Sequence, residues 1–370
     1  MTDLYLQHLS LYNFKNYEEA GLDFKSQFVC FAGNNGSGKT NLLDAICYLS
    51  TCKSFFNPVD SQNIFFGNDQ CSITGNFRKD EQLEQVVCSI RKNQRKIVKR
   101  NFKEYEKLAE HIGLFPAVII TPYDIELIWE GSEVRRKFID STLSQMSRHY
   151  LDYLVAYNHA LLQRNNLLKS FSKGGYSKDI LEPWDFQLAD KATFLFSERK
   201  KFLEEFTKRF NEVYQEICSG TELTGIDYKS DLEHKDMLTL LTENADRDRF
   251  LERTSSGIHR DDLEFLVNGH ALKKFGSQGQ QKSFLFALKL AQYEFMSQNL
   301  GVKPILMLDD LFDKIDEKRM TSILDWLSAR GVGQVFITDT HLTRIPDILE
   351  KRGLDHEVWS VDRGKVHKIK

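Results

Sequence analysis

The stretch Gly33-Asn34-Asn35-Gly36-Ser37-Gly38-Lys39-Thr40 decides the fold class of this 370-residue chain. It follows a continuous apolar run at 28–32, typical of a strand buried on both faces, and precedes apolar residues at helical spacing in 42–49. Glycines let such a loop wrap tightly, so that its N–H groups and the helix start bind phosphate oxygens. In this motif Lys39 contacts the β- and γ-phosphates and the Thr40 hydroxyl ligates Mg²⁺. Since strand, loop and helix come in this order, the stretch predicts a nucleoside-triphosphate site rather than an ordinary glycine-rich turn.

The bulk composition is that of an intracellular protein, and the length of 370 residues predicts two or three domains. Hydrophobic residues make up 41% and charged residues 28%, and the net charge of −3 means that any nucleic-acid surface must be local. The six cysteines form no CxxC pair, which favours buried thiols in a reducing compartment over disulfides. The N-terminus lacks the pattern of a secretory signal, and no apolar run reaches the ~18 residues of a spanning helix. These features predict a cytoplasmic protein.

A second motif lies far downstream, where the apolar residues 304–308 end in Asp309 and Asp310. If this strand lies beside the phosphate loop, Asp309 is expected to orient the Mg²⁺ ion. Asp310 then stands where a general base can hold the attacking water. The alternative is a buried strand that simply ends in two solvated acids.

A third motif, Ser277-Gln278-Gly279-Gln280-Gln281-Lys282, begins a long apolar helix in which Phe284, Leu288, Ala291 and Phe295 share one face. A serine and a glycine at a helix start make a second anion site, although the motif alone, without the other two, favours a plain N-cap. One nucleotide does not need two such sites within one chain. Two copies facing head to tail would use both, with Ser277 and Gly279 of one copy closing on the phosphate held by Lys39 of the other.

Together these three motifs resemble those of ATP-binding-cassette ATPases. The resemblance implies that 311–316 contacts a partner subunit and that a switch residue follows the apolar strand 334–338. Asp339 or His341 could hold that switch role, and a surface histidine is the alternative for His341. The chain contains no Asn-Lys dipeptide, so the guanine-reading N-K-x-D motif is absent. The predicted nucleotide is therefore ATP, bound with Mg²⁺.

A long insertion separates the motifs, because Ser277 comes 238 residues after Lys39. Two apolar stripes at helical spacing flank a predicted turn at 173–177. Their members are Tyr150, Leu154, Tyr157, Leu161 and Leu168 in the first, and Phe202, Phe206, Phe210, Val213 and Ile217 in the second. We expect two antiparallel helices of about 30 residues, each roughly 45 Å long. They form either a packed helical lobe or an arm that partly encloses a partner.

The predicted architecture is therefore an α/β cassette-type ATPase head with a mixed sheet and an inserted α-helical arm. Its predicted parts are 1–130 for the N-terminal part of the head, 131–249 for the arm and 250–370 for the C-terminal part of the head. The insertion is long for a transporter ATPase and short for the coiled-coil arms of chromosome-condensing ATPases.

Along nearly its whole length the chain resembles the RecF family of bacterial recombination and replication-repair ATPases. The stretches that carry this resemblance are 11–17 (LYNFKNY), 41–46 (NLLDAI), 53–55 (KSF), 120–124 (ITPYD), Gly131, 135–140 (RRKFID), Tyr157, 163–165 (QRN) and 257–263 (GIHRDDL). Five positions depart from the usual pattern. Lys15 stands for arginine, Asp44 for glutamate and Ile258 for proline, and Gly276 and Gln278 differ from the generic cassette signature.

The resemblance implies an ATP-dependent DNA-binding protein that dimerises around two nucleotides and is a slow, DNA-stimulated ATPase. It also implies action at single-strand gaps or damaged forks, with recombination mediators that load the strand-exchange protein, and a part in the SOS response. The sequence adds a basic run from Arg91 to Lys107 that includes the DNA candidates Arg95, Lys96, Lys99 and Arg100. A solvated strand pair and helix face is the alternative. Residues 135–137 are a second basic patch, for which a structural role in gripping the head is the equal alternative. A transport energy subunit and a motor or nuclease remain rival classes.

Overall fold

Two groups of residues form separate contact networks in the computed structural model, which describes residues 3–171, 178–218, 222–311 and 317–370. The first unit consists of Met1–Asp124, Glu216–Ser219 and Phe286–Lys370, and the second of Ile125–Gln215 and Gly220–Leu285. Residues 250–285 thus cluster with the inserted helices. The functional boundaries expected near 130 and 249 stay a prediction.

The described residues contain fifteen strands. They are β1 (Leu4–Phe14), β2 (Tyr17–Asp23), β3 (Phe28–Ala32), β4 (Gln70–Lys79), β5 (Gln82–Arg91), β6 (Ile97–Arg100), β7 (Lys103–Glu104), β8 (Ala117–Ile120), β9 (Thr224–Lys229), β10 (Asp262–Val267), β11 (His270–Ala271), β12 (Ile305–Leu308), β13 (Val335–Asp339), β14 (His356–Asp362) and β15 (Lys365–Lys368). The helices are α1 (Lys39–Thr51), α2 (Glu126–Trp129), α3 (Ser132–Met146), α4 (Arg148–Phe171), α5 (Lys178–Cys218), α6 (Met237–Glu243), α7 (Ala245–Leu251), α8 (Leu272–Phe275), α9 (Gln278–Leu300), α10 (Glu317–Ala329) and α11 (Arg344–Lys351).

The first unit contains two six-stranded sheets. One is antiparallel, in the order β2-β1-β4-β5-β6-β7, and the other is mixed, in the order β15-β14-β3-β13-β12-β8. In the mixed sheet only the β14–β15 pair is antiparallel, so the strands from β14 to β8 end at a common edge. All five residues of β3 are buried, as its continuous apolar run predicts.

Helix α1 packs against both sheets of the first unit. It contacts β4 and β5 on one side and β8 and β13 on the other, and ten of its thirteen residues are buried. Its apolar side chains join residues of the two sheets in one hydrophobic core. The helix that follows the phosphate loop is therefore held by two sheets, which fixes the position of the loop.

The second unit contains the two predicted long helices, and their ring contacts run antiparallel. His149 contacts Phe194 at 4.7 Å between ring centroids, whereas His159 contacts Trp184 at 6.0 Å. All five residues of the second predicted stripe are buried, but in the first stripe Leu154 and Leu161 are only half-buried.

The equal helix lengths expected from the sequence are wrong. Helix α4 has 24 residues and α5 has 41, because the buried pattern of α5 begins earlier, at Leu181, Leu188, Ala192 and Leu195. The predicted turn at 173–177 and the residues 312–316 of the expected partner-contact loop lie outside the described residues.

Buried arginines join the elements of the second unit. Arg164 on α4, 1% exposed, pairs with Asp185 on α5 at 2.6 Å and with Asp248 on α7 at 2.7 Å. Arg199 on α5 pairs with Asp140 at 2.9 Å and with Asp261 at 3.0 Å. Several of the stretches that carry the family resemblance thus contribute to these two polar clusters within the unit, 163–165 to the first and 135–140 and 257–263 to the second.

Five of the six cysteines are buried and all six are free thiols. Within the described ranges, no helix is both long and apolar enough to cross a membrane.

Candidate functional site

The phosphate loop takes the backbone path that its glycines permit. Gly38 has φ +118°, and a Cβ atom there would lie 2.4 Å from the Asn16 amide and 2.8 Å from the Tyr17 hydroxyl. A Cβ atom on Gly33 would lie 2.1 Å from the carbonyl oxygen of Val361. Neither position accepts a side chain without moving the backbone. The loop geometry therefore depends on these two glycines.

Lys39 lies at the centre of this loop. Its Nζ donates hydrogen bonds to the carbonyl oxygens of Gly33 at 2.7 Å and Asn34 at 3.1 Å, and the side chain is only 5% exposed. The ammonium group is thus held against the loop backbone by uncharged carbonyl groups. A phosphate oxygen would be a stronger partner than either carbonyl, since both members of that contact are charged.

Asn16 and Tyr17 brace the loop from outside, a role that sequence reasoning missed. The Asn16 amide donates to the Ser37 carbonyl at 3.0 Å, and the Tyr17 hydroxyl donates to the Gly38 carbonyl at 3.0 Å. Asn16 also accepts a hydrogen bond from Asn41 at 2.7 Å. The available signal was the adjacency of these residues in the first turn of the family pattern.

A chain of hydroxyl groups joins the loop to the two downstream acids. The Thr40 hydroxyl donates to Asp309 Oδ1 at 3.0 Å, and the Thr338 hydroxyl donates to the same oxygen at 2.9 Å. The Asp310 N–H in turn donates to Thr338 Oγ1 at 2.8 Å. The predicted meeting of Thr40 and Asp309 is therefore observed, although β13 lies between β3 and β12. Thr338 was missed because it reads as one more residue of a buried strand.

Burial and hydrogen bonding act in opposite directions on Asp309. Burial raises the pKa of its carboxyl group, while the hydrogen bonds from Thr338 and Thr40 lower it. Asp310 is half-buried and has φ +47°, a left-handed backbone conformation that aspartate adopts more readily than most residues with a side chain. Its backbone is held there by the bond to Thr338.

A cavity of about 730 Å³ opens beside these acids, within the size range of small-molecule sites. Its lining includes Thr40, Asp309, Asp310, Phe56 and Tyr123. The donors fit Mg²⁺, which prefers oxygen ligands and usually takes only one or two carboxylates beside phosphates and water. Consistent with that, the described residues hold no cluster of three or more His, Cys, Asp or Glu side chains suited to a metal by themselves.

Lys15 and Asp44, two of the departures from the family pattern, pair with each other. Lys15 Nζ lies 2.5 Å from Asp44 Oδ2, and the two side chains are 9% and 0% exposed. Asp44 also accepts hydrogen bonds from Ser54 Oγ at 2.6 Å and Phe55 N at 2.7 Å. Aspartate in place of the usual glutamate thus accompanies lysine in place of the usual arginine, and the two residues form one buried pair. The pair links helix α1 to the turn between β1 and β2, and Lys15 also lines the cavity.

We expect Asp44→Ala to lower the free energy of unfolding by about 3–5 kcal/mol, because it leaves the buried Lys15 ammonium group uncompensated. Urea unfolding followed by circular dichroism measures the change. Asp69→Ala is the matched control, since the Asp69–Lys92 pair is exposed and 3.1 Å long, and its loss should cost about 0–1 kcal/mol. Equal effects of the two variants would contradict a structural role for the buried pair.

The two switch candidates differ in their surroundings. Asp339 is buried at the end of β13, where its carboxylate pairs with Arg344 and accepts the His341 N–H at 3.2 Å. Its own carbonyl accepts the Gly33 N–H at 3.1 Å, which places it directly against the phosphate loop. The His341 side chain is exposed. Its proximity to the phosphate loop favours Asp339 as the switch residue, whereas the exposure of its side chain favours His341.

The Ser277 motif forms a capping box at the start of α9. The Ser277 hydroxyl accepts the Gln280 N–H at 3.2 Å, and Gln280 Oε1 accepts the Ser277 N–H at 2.7 Å. Gln280 also donates to Glu222 at 2.7 Å. The N-cap reading is therefore observed, and it is compatible with an anion site because the cap keeps the helix start ordered. The predicted face of α9 is buried at Phe284, Leu288, Ala291 and Phe295.

Three of the four DNA candidates are engaged in contacts within the protein. Arg100 forms a two-bond pair with Glu84, Lys96 pairs with Asp60 at 3.0 Å, and Arg95 donates to the Glu106 carbonyl at 3.0 Å. Lys99 is exposed on β6.

The second basic patch is largely structural. Arg135 forms a two-bond pair with Asp262, and Arg136 donates to the Asp261 carbonyl at 2.6 Å. Only Lys137 of this patch is exposed, and it pairs with Glu133 at 2.7 Å. Arg135 and Arg136 therefore join elements of the second unit, whereas the structural alternative expected from the sequence was a grip on the ATPase head.

Comparison with known proteins gives one consistent result. The family model of the RecF/RecN/SMC N-terminal domain matches residues 5–347. The DNA replication and repair protein RecF of Flavobacterium johnsoniae is 48% identical over 359 residues, covering 97% of this chain and 100% of that protein. RecF of Parabacteroides distasonis is 46% identical over 361 residues, covering 98% of each.

Solved structures similar to this chain include a member of the same family as these sequence relatives. The recombination mediator protein RecF with ATP, of the RecFOR pathway, matches with a TM-score of 0.91 at 29% identity and covers 100% of this chain and 98% of that one. An Smc head domain from Pyrococcus furiosus matches with a TM-score of 0.58 at 16% identity, covering 99% and 96% of the two chains, and thus shares the fold. The predicted cassette-type ATPase head is confirmed, and the transport alternative is not favoured. The chain belongs to the RecF family of DNA replication and repair proteins.

Proposed function

We propose that this protein is an ATP-dependent DNA-binding protein of replication and recombinational repair. The observation that carries the proposal is the hydroxyl chain from Thr40 through Asp309 and Thr338 to Asp310, beside an ordered phosphate loop. ATP binding acts as the dimerisation switch, and slow hydrolysis acts as the timer of release. The protein works in the cytoplasm, where the chromosomal DNA of a bacterium lies.

Residues 33–40 hold the triphosphate of ATP. Their N–H groups cradle the phosphates, and the Lys39 ammonium exchanges its carbonyl partners for β- and γ-phosphate oxygens. The buried Ser37 hydroxyl has no hydrogen-bond partner within the described ranges, as expected of a group that waits for a ligand. Thr40 and Asp309 hold Mg²⁺, which neutralises charge that develops on the phosphates.

Asp310 acts as the general base that holds the attacking water. Its bond to Thr338 places the carboxylate at the cavity wall, next to the metal site. Many cassette ATPases carry glutamate here, one methylene longer, so this shorter acid holds the water less well. Slow turnover, stimulated by DNA, suits a timer better than a motor.

A second copy of the chain completes each nucleotide site. Gly279 presents its N–H and Ser277 its hydroxyl proton, at the start of α9, to the γ-phosphate bound by the partner copy. The capping box supports this role because it fixes the helix start before any ligand arrives. Asp339 or His341 senses the γ-phosphate and couples hydrolysis to opening.

DNA is the proposed macromolecular partner, reached through Lys99 and Arg100 on β6 and Arg95 and Lys96 in the turn before it. Backbone phosphates give affinity without reading sequence, as suits a protein that recognises gaps or forks. Recombination mediators are further partners, since a similar structure is that of a recombination mediator protein in the RecFOR pathway. Support of recombinase loading and of the SOS response follows from that partnership.

The test measures particle mass with and without ATP, and DNA affinity for single-stranded, duplex and gapped DNA across a salt series. We expect a dimer with ATP and DNA binding that falls steeply with salt, by about 0.9 logarithmic units per tenfold change in salt for each duplex phosphate neutralised. Failure to bind any DNA, with or without ATP, would rule out the proposed function.

Ser277→Arg isolates the role of the second copy. The exposed Ser277 position accepts a long side chain, and loss of its cap costs only about 1 kcal/mol. The monomer should therefore keep its ATP affinity while the ATP-dependent dimer disappears. Ser147→Arg is the matched control, because Ser147 also accepts the N–H three residues on, from Tyr150 at 3.1 Å. A dimer of Ser277→Arg with wild-type ATP dependence would contradict closure in trans.

A further inference from the structure

The hairpin between β6 and β7 ends in a strained two-residue turn. Arg100 pairs with Lys103 across the strands, so Asn101 and Phe102 alone form the turn. Their φ values are +49° and +68°, which defines a type I′ turn. The second position of this turn strongly prefers glycine, because a side chain there is strained. Phe102 is therefore an unfavourable choice for turn stability.

Asn101 has a clear structural task in this turn, whereas Phe102 does not. The Asn101 N–H donates to the Gln85 carbonyl at 2.9 Å, and its side chain accepts the Gln85 N–H at 2.9 Å. These bonds fix the turn to β5. The Phe102 side chain is 85% exposed, so it adds neither burial nor order to the hairpin. A strained residue that contributes nothing to the fold indicates a task outside it.

The surroundings of the ring are positively charged. Lys99 and Lys103 flank the turn and are both exposed, and residues 95–107 contain six basic and two acidic residues. Glu84 is satisfied by its pair with Arg100, while Glu104 stands opposite Lys99 at the sheet edge. Such a tip combines an exposed aromatic face with cations on both sides.

We propose that Phe102 is a stacking platform for an unpaired DNA base, with Lys99 and Lys103 on the adjoining phosphates. Aromatic stacking between flanking cations is how proteins hold single strands without reading sequence. A base offers its face to such a ring only where it is not already stacked between neighbours, as at a gap or a fork junction. The inference rests on the proposed DNA-binding function and names the DNA feature that this hairpin holds.

The charge of the tip favours nucleic acid over a protein partner. An apolar protein pocket would accept Phe102 equally well, but it would also have to accommodate the positive charges of the exposed Lys99 and Lys103 at its rim. A polyphosphate backbone neutralises both lysines and releases counterions.

Phe102→Gly creates an Asn-Gly turn, the preferred type I′ sequence, so the protein should unfold at the same or a higher temperature. Its affinity for a gapped duplex should nevertheless fall by about 5- to 150-fold, the contribution of one stacked base. If Phe102 instead stabilised the fold, Phe102→Gly would lower the unfolding temperature and leave the affinity for the gapped duplex unchanged. Phe102→Trp should keep the affinity, and Phe102→Leu, apolar and equally strained, should lose it.

The probe is a duplex with a single-strand gap that carries 2-aminopurine, whose fluorescence is quenched when it stacks. Wild type and Phe102→Trp should quench it, and Phe102→Gly and Phe102→Leu should not. Phe66→Leu is the control, since Phe66 is 96% exposed with no lysine or arginine within five residues. Lys99→Ala and Lys103→Ala should each lower the salt slope by about one, whereas Lys92→Ala, which loses an exposed pair with Asp69, should not.

Wild-type affinity of Phe102→Gly for the gapped duplex would overturn the inference and leave the proposed function intact. Equal affinities of Phe102→Leu and Phe102→Trp would also overturn it, because they indicate a general apolar contact, as with a protein or a second copy. A wild-type protein that binds none of the DNA probes would overturn the proposed function, and the inference with it.

Discussion

Lys39→Met is expected to weaken ATP binding by about 2–5 kcal/mol, or roughly 30- to 5,000-fold in Kd. The Lys39 ammonium group is buried inside the loop and is the charge placed there to meet the β- and γ-phosphates. Methionine retains the length of the stem and removes only the charge and its donors. Titration with a fluorescent ATP analogue, with Mg²⁺ present, measures the loss.

Two controls separate this effect from unfolding. The substitution also removes hydrogen bonds to the Gly33 and Asn34 carbonyls, which should cost about 1–3 kcal/mol of stability. Urea unfolding shows whether the variant is folded under the binding conditions. Lys92→Met removes an exposed lysine and should leave ATP affinity unchanged. Undiminished ATP binding by folded Lys39→Met would refute the phosphate-loop assignment.

The nucleotide-binding motifs could be predicted from the sequence because each is defined by neighbouring residues in the chain. The apolar run 28–32 predicts a buried strand, and the glycines after it predict the loop, as the structure shows. The contact between Thr40 and Asp309 was predictable because parallel strands end at one edge of a sheet. Local pattern does not give strand order, so the strand between them, and with it Thr338, went unnoticed.

Pairs of residues distant in sequence were beyond local reasoning. Nothing in either segment indicates that Lys15 pairs with Asp44, although both residues depart from the family pattern. In the same way, the sequence of the basic run does not indicate that Arg100 is neutralised by a pair with Glu84 on the neighbouring strand. The sequence gives the number of ionisable side chains, but only the fold determines which of them are neutralised by an ion pair.

The helical arm was predictable in kind but not in extent. Apolar spacing predicted two antiparallel helices, yet α5 begins well before Phe202. The signal was present, since Leu188, Ala192 and Leu195 continue the same helical spacing. What no spacing reveals is that Arg164 also ties the early part of α5 to α4 through Asp185.

Asp310→Asn is expected to lower the rate of ATP hydrolysis by about 10²- to 10⁴-fold, the usual contribution of a general base. Asparagine matches aspartate in size and tolerates the left-handed backbone, so the N–H bond to Thr338 should survive. ATP binding needs only the loop and the metal ligands, and it should therefore persist. The expected product is an ATP-bound dimer that fails to dissociate.

Single-turnover hydrolysis and particle mass, measured on the same sample, test this expectation. Asp309→Asn is the matched control one residue away, because it removes the metal ligand rather than the base. It should lose Mg²⁺-dependent ATP affinity and should not accumulate as a dimer. Hydrolysis by Asp310→Asn at the wild-type rate would show that another group holds the water. A trapped dimer for Asp310→Asn but not for Asp309→Asn would separate the two acids by role, because only an intact metal site with a missing base stops the cycle after closure.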